Sequence, residues 1–143
     1  MSRRSPRPGV KRVYEPSEAS DGTRVLVDRI WPRGISKDAL RLDDWRKDLA
    51  PSAALRKWFG HDPAKWETFK ARYFRELDQR PEKIADLLAT GREATVTLVF
   101  GARDTDRNNA VALREYLARY EKEWATPRGP GLRAAPSVLG RRT

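Results

Sequence analysis

The sequence predicts an α/β fold: a small, mainly parallel β-sheet covered by helices, in a single compact domain. Three observations carry this reading. Thr95 to Phe100, TVTLVF, is a β-branched and apolar run, as expected of a strand buried on both faces. Several longer segments repeat apolar residues every three or four positions, the period of a helix with one buried stripe. The elements read in the order β-β, several helices, β, α, which suits helices layered on a sheet better than a helical bundle.

Taken in order, Val10 to Tyr14 alternates enough to form a first strand, and EPSEASDG after it is a loop closed by the turn signal Asp21-Gly22. Thr23 to Arg29 is the second strand, rich in β-branched and aliphatic residues. Ser36 is an N-cap for a helical turn through Leu40. Leu42, Trp45 and Leu49 then form a loosely amphipathic stretch before Pro51. Ser52 caps a helix through Phe59, which Gly60 stops.

Asp62-Pro63 starts the next helix, a capping side chain followed by proline at the first helical position. Trp66, Phe69, Tyr73 and Leu77 share its inner face. Pro81 opens another helix with Ile84, Leu87 and Leu88 apolar, ended by Gly91. After the strand at 95–100, a last helix runs from about Asp106 to Trp124, with Ala110, Leu113, Leu117, Tyr120 and Trp124 in one stripe.

A chain of 143 residues suits one domain. The absence of cysteine excludes disulfides, thiol chemistry and cysteine zinc sites. A single histidine leaves no histidine-rich metal site, so neither a metal nor a cofactor is expected. No run approaches a membrane span, and the basic start has no apolar segment after it, so the expected location is cytoplasmic.

The net charge of +10 is unevenly spread. Residues 1–12 hold five cations and no acid, residues 126–143 hold four cations and no acid, and all 20 acids lie between them beside the other 21 cations. The chain therefore divides into a disordered basic tail at 1–9, an α/β domain at 10–125 and a second disordered basic tail at 126–143. Such tails are candidate contacts for nucleic acid, and equally read as solvated ends.

The stretch DRIWPRG, residues 28 to 34, leaves the second strand with an acid, two arginines and a tryptophan. GARDTDRNNA, residues 101 to 110, leaves the 95–100 strand in the same manner. If a helical crossover sets those strands parallel, both carboxyl ends fall on one edge, where open α/β sheets bind ligands. That edge gathers Asp28, Arg29, Trp31, Arg33, Arg103, Asp104, Asn108 and Asn109. Arg29, Arg33 and Arg103 then form a clamp for phosphate or carboxylate, with Trp31, Asn108 and Asn109 beside it. Asp28 or Asp104 orients an arginine or serves as a base. His61, in WFGHDP, is a reserve acid or base.

A structural reading accounts for the same residues. Asp28 can pair with Arg103 and Asp104 with Arg29, Asp104 or Thr105 can cap the last helix, and Trp31-Pro32 can lie as a lid on the sheet. His61 between Gly60 and Asp62 is equally a loop residue.

The segments RVYEPSEASDGTRVLVDRIWPRGISKDAL, WRKDLAPSAALRKWFGHDPAKWETFKARY and TLVFGARDTDRNNAVALREYL together resemble the bacterial YeaO-like family, a branch of a large group filed as a domain of unknown function. The likeness covers about residues 12–120. It implies a compact cytoplasmic α/β domain and a polar hallmark cluster built from residues 28–34, 58–61 and the Arg103, Asp104, Asn108, Asn109 and Ala110 set.

The expected function is a pocket for a small anionic, phosphate-bearing, nucleotide-like ligand at the carboxyl edge of the strands, with catalysis on that ligand left open. The rivals are a nucleic-acid-associated module working through the arginine-rich tails and a non-catalytic interaction domain.

Overall fold

Four parallel strands set the frame, β1 (Gly9–Arg12), β2 (Thr23–Leu26), β3 (Asp44–Trp45) and β4 (Val96–Phe100), in the spatial order β1-β4-β2-β3. The computed structural model describes residues 8–120. The basic ends expected at 1–9 and 126–143 lie outside those residues, apart from Pro8 and Gly9, as does Trp124. Among the described residues no helix is long and apolar enough to cross a membrane, and no His, Asp and Glu group could hold a metal ion.

Alternation along the strands decides which side chain meets which layer. Val25, Val27, Leu98 and Phe100 face a core built from four helices: α2 (Ala53–Phe59), α3 (Trp66–Asp78), α4 (Pro81–Glu93) and α5 (Asn109–Leu117). Phe69, Tyr73 and Leu77 of α3 are buried there, as the helical spacing predicts, with Trp66 packed at the edge. Leu26 and Val99 point the other way, onto Val13 and Leu40, and the segment from Trp31 to Trp45 covers them. That segment includes the one-turn helix α1 (Lys37–Leu40). Leu26, Val27, Leu98 and Val99 are each 0 % exposed, and each such side chain contributes roughly 1.5–3 kcal/mol.

Local signals in the sequence hold up where a side chain can satisfy a helix end. Ser36 accepts from Ala39 N–H, Ser52 accepts from Leu55 N–H, and Asp62 accepts from Ala64 N–H. Gly60 ends α2 in the left-handed region. Ser52 is itself held by Glu76 of α3, which accepts from both its backbone N–H (2.8 Å) and its hydroxyl (2.6 Å).

Four expectations are corrected. The second strand ends at Leu26, not Arg29, although Val27 N–H still donates to Val99 O. Asp44–Trp45 is a short edge strand rather than part of an amphipathic stretch, because Asp43 N–H and Arg46 N–H reach the backbone of β2. Helix α4 runs through Gly91, which is buried. Tertiary packing there outweighs a propensity cost of about 1 kcal/mol. Helix α5 starts at Asn109, not Asp106, because Asn108 is the residue that caps it, by accepting from Val111 N–H.

A buried ionic latch ties the sheet's far end together. Asp21, 6 % exposed, accepts from Arg24 Nη1 at 2.7 Å, from Lys11 Nζ at 3.0 Å and from the backbone N–H of Glu18 at 3.0 Å. Arg24, 4 % exposed, gives its other donors to Leu40 O. Gly22 completes the turn at φ 67°, where a Cβ would sit 2.3 Å from Thr95 O.

Burial alone would raise the Asp21 carboxyl, but the bonds from Glu18, Lys11 and Arg24 outweigh it and hold the group below its ordinary range. A lowered pKa means the latch stabilises the fold above the unfolded value and lets go as pH falls through the folded one. Asp21→Ala leaves Arg24 buried without its partner, so urea denaturation should show a loss of about 3–5 kcal/mol. The wild type should lose part of that advantage on acidification below about pH 4.

Candidate functional site

Parallel register brings three strand exits to one edge. Val13 N–H donates to Phe100 O at 2.7 Å and Val27 N–H to Val99 O at 3.1 Å, so Tyr14, Asp28 and Gly101 emerge side by side. All three border a cavity of about 410 Å³.

Asp28 fastens two of the exits. Its Oδ2 accepts from Gly101 N–H at 2.9 Å, and its Oδ1 accepts from Asn109 Nδ2 at 3.1 Å. Asn109 Nδ2 also donates to Val27 O at 2.8 Å, and Trp45 Nε1 donates to Asp28 O at 2.8 Å. A Cβ at Gly101 would stand 3.1 Å from Asp28 Oδ2, so that position has little room for a side chain. Burial pushes the Asp28 carboxyl above its ordinary range, against the opposing pull of Asn109, Gly101 N–H, Arg56 and His61. Its sign is opposite to that of Asp21. The cost of this charge to folding appears as pH rises through the raised value and vanishes in acid.

Three arginines also border the cavity. Arg29 is anchored by Nε to Pro51 O at 3.1 Å. Arg33 is exposed on a loop whose carbonyl accepts from Tyr14 Oη at 2.6 Å, and Tyr14 is in turn covered by the Arg12 guanidinium 4.7 Å from its ring centre. Arg56 enters from α2. None of the three forms an ion pair with another described residue, and Asp28 is the one carboxylate in the described lining. His61 also borders the cavity, at φ 59° in the left-handed region.

The walls are apolar. Phe59 stacks on Phe69 with ring centres 4.3 Å apart, and Pro32, Pro51 and Ile30 add aliphatic surface. Trp31 is fixed by its Nε1 donating to Ile35 O at 2.8 Å and by edge contact with Trp45.

The edge predicted from sequence therefore assembles Asp28, Arg29, Trp31, Arg33, His61, Asn108 and Asn109 around one cavity. Arg103 and Asp104 stand outside its lining. Arg103 is exposed. Asp104 turns its carboxylate onto the backbone N–H groups of Asp106 and Arg107, which with the Arg107 guanidinium hold it below its ordinary range. The pairs Asp28–Arg103 and Asp104–Arg29 do not form. Asn108 borders the cavity with both polar ends engaged, its oxygen on Val111 N–H and its amide on Asp104 O.

Sequence reasoning missed Tyr14, Arg56 and the cavity role of Phe69. Arg56 was within reach, because it lies one helical turn before Phe59 and shares its face. Tyr14 was within reach too, at the carboxyl end of a strand parallel to the other two.

A sequence model of the family described as the inactive DUF488-N3 subclade matches residues 9–136. The chain belongs to that family. It is 43 % identical over 107 residues to the uncharacterised protein YeaO of Escherichia coli K12, covering 75 % of this chain and 93 % of YeaO. Uncharacterised proteins of Mycobacterium bovis and Mycobacterium tuberculosis are each 43 % identical over 114 residues, covering 80 % of this chain and 96 % of theirs. No solved structure matches significantly. The YeaO-like resemblance in the sequence thus stands.

Asn109→Ala strips Val27 O and Asp28 of a shared donor, and chemical denaturation should register a loss of about 1–3 kcal/mol. Arg103→Ala should move the same measurement by no more than about 0.5 kcal/mol, as an exposed substitution with no partner among the described residues.

Proposed function

We propose that the cavity is a binding site for a small anionic, phosphate-bearing ligand of nucleotide type, and that it holds this ligand without turning it over. The carrying observation is the charge arrangement: Arg29, Arg33 and Arg56 border the cavity with no carboxylate paired to them among the described residues, while the one acid of the described lining fastens the strand exits. Unpaired guanidiniums present planar sets of donors that match phosphate oxygens.

The remaining features suit the rest of a nucleotide. A volume of about 410 Å³ lies within the range for small-molecule clefts, roughly 300–1,000 Å³. Trp31, Phe59 and Phe69 add aromatic surface to the lining. A cytoplasmic setting would supply such a ligand.

Two points favour binding over catalysis. The family carries the description inactive. Both Asp28 oxygens already accept protein donors, which suits a structural carboxylate better than a base that must receive a proton from a substrate. His61 stays the one candidate acid or base beside the cavity.

Thermal shift with nucleoside mono- and diphosphates tests the reading. A ligand should raise the melting temperature of the wild type, and Arg33→Ala or Arg56→Ala should abolish that rise. The unliganded melting points of these variants should stay within about 2 °C of wild type, since both side chains are exposed. Protection that survives both substitutions would place the ligand elsewhere. Hydrolysis of the ligand by the wild type would refute the non-catalytic half of the proposal.

A further inference from the structure

We infer that the cavity selects its nucleotide by the base, and that the base is guanine. This rests on the nucleotide reading above and deepens it. The starting point is that the cavity lining carries both hydrogen-bond acceptors and donors.

Asp28 and Asn109 offer acceptors. A carboxylate has about four acceptor positions on its two oxygens. Asp28 uses one at each oxygen, for Gly101 N–H and Asn109 Nδ2, which leaves one on each. Asn109 spends its amide group on Val27 O and Asp28, so its carbonyl oxygen has no partner among the described residues. Arg29, Arg33 and Arg56 offer donors.

A ligand satisfying both needs an anion for the arginines and two adjacent N–H donors for the two oxygens of Asp28. Guanine has such an edge, with its ring N1–H beside its exocyclic N2 amino group. Hypoxanthine keeps only the ring N–H. Adenine and cytosine set a ring acceptor beside their amino group, and xanthine sets a carbonyl oxygen where guanine has its amino group. Each of these brings a lone pair against a buried carboxylate or leaves one of its acceptors unmet, and sites built to hydrogen-bond a group discriminate strongly against its absence.

Isothermal titration calorimetry on the full chain with GMP, IMP, AMP, XMP and inorganic phosphate tests this. GMP should bind about 10-fold more tightly than IMP and about 100-fold more tightly than AMP or XMP. Asp28→Asn places a donor where one acceptor stood, so it should weaken GMP and strengthen XMP. Should that variant fail to fold, because a carboxamide cannot accept from both Gly101 and Asn109, the wild-type ranking decides alone. Equal affinity for the four nucleotides, or a preference for any but GMP, overturns the guanine assignment and leaves the nucleotide reading standing. Binding of phosphate alone, or of nothing, overturns both.

Discussion

The Asp28 carboxylate, bonded at once to the backbone of Gly101 and the amide of Asn109, holds together segments that lie 73 and 81 positions away in the chain. Without it the exits of β2 and β4 would share an edge but not a fixed separation, because strand pairing ends at Val27 and Phe100. Trp45 Nε1, donating to Asp28 O, fixes the same residue from the opposite face of the sheet. A carboxylate withdrawn from water costs free energy, and the two donors to its oxygens are the kind of compensation such a group requires.

The two buried acids of this fold behave in opposite ways for one physical reason. Asp21 is paired directly with Arg24 and Lys11, so its charged form is favoured in spite of burial. Asp28 has no cation within ion-pair distance among the described residues, only the more distant charges of Arg56 and His61, so burial prevails. The first arrangement favours the charged form through ion pairs, whereas the second bonds the carboxylate to neutral donors only. Arginines divide in parallel. Arg24 and Arg80 are consumed by backbone carbonyls and acids of the core layer, whereas Arg33 and Arg56 stand at the cavity without a carboxylate.

Much of the candidate site could be read in advance, because its polar residues cluster directly after apolar strands. Asp28, Arg29, Trp31 and Arg33 follow one such strand, and Asn108 and Asn109 follow another. Arg103 and Asp104 show the limit of that reasoning. Position after a strand places a residue near an edge, but the turn formed by Asp104 with Asp106 and Arg107 takes this pair out of the cavity lining. Arg56 shows the converse, since it reaches the site from a helix that no strand-exit rule includes.

The amino-acid sequence alone specified the pieces: the helix caps Ser36 and Ser52, the Asp62 cap of the 3-10 turn Pro63–Lys65 that leads into α3, the buried face of α3, and the apolar strands. These depend on side chains reaching backbone groups two or three residues away, or on a period repeated within one segment. Only the tertiary structure decided the two-residue strand β3, the continuation of α4 through Gly91, and which polar residues meet. Each of those depends on groups brought together across the sheet, and a parallel pairing is set by how the intervening helices pack, which no local stretch of chain encodes.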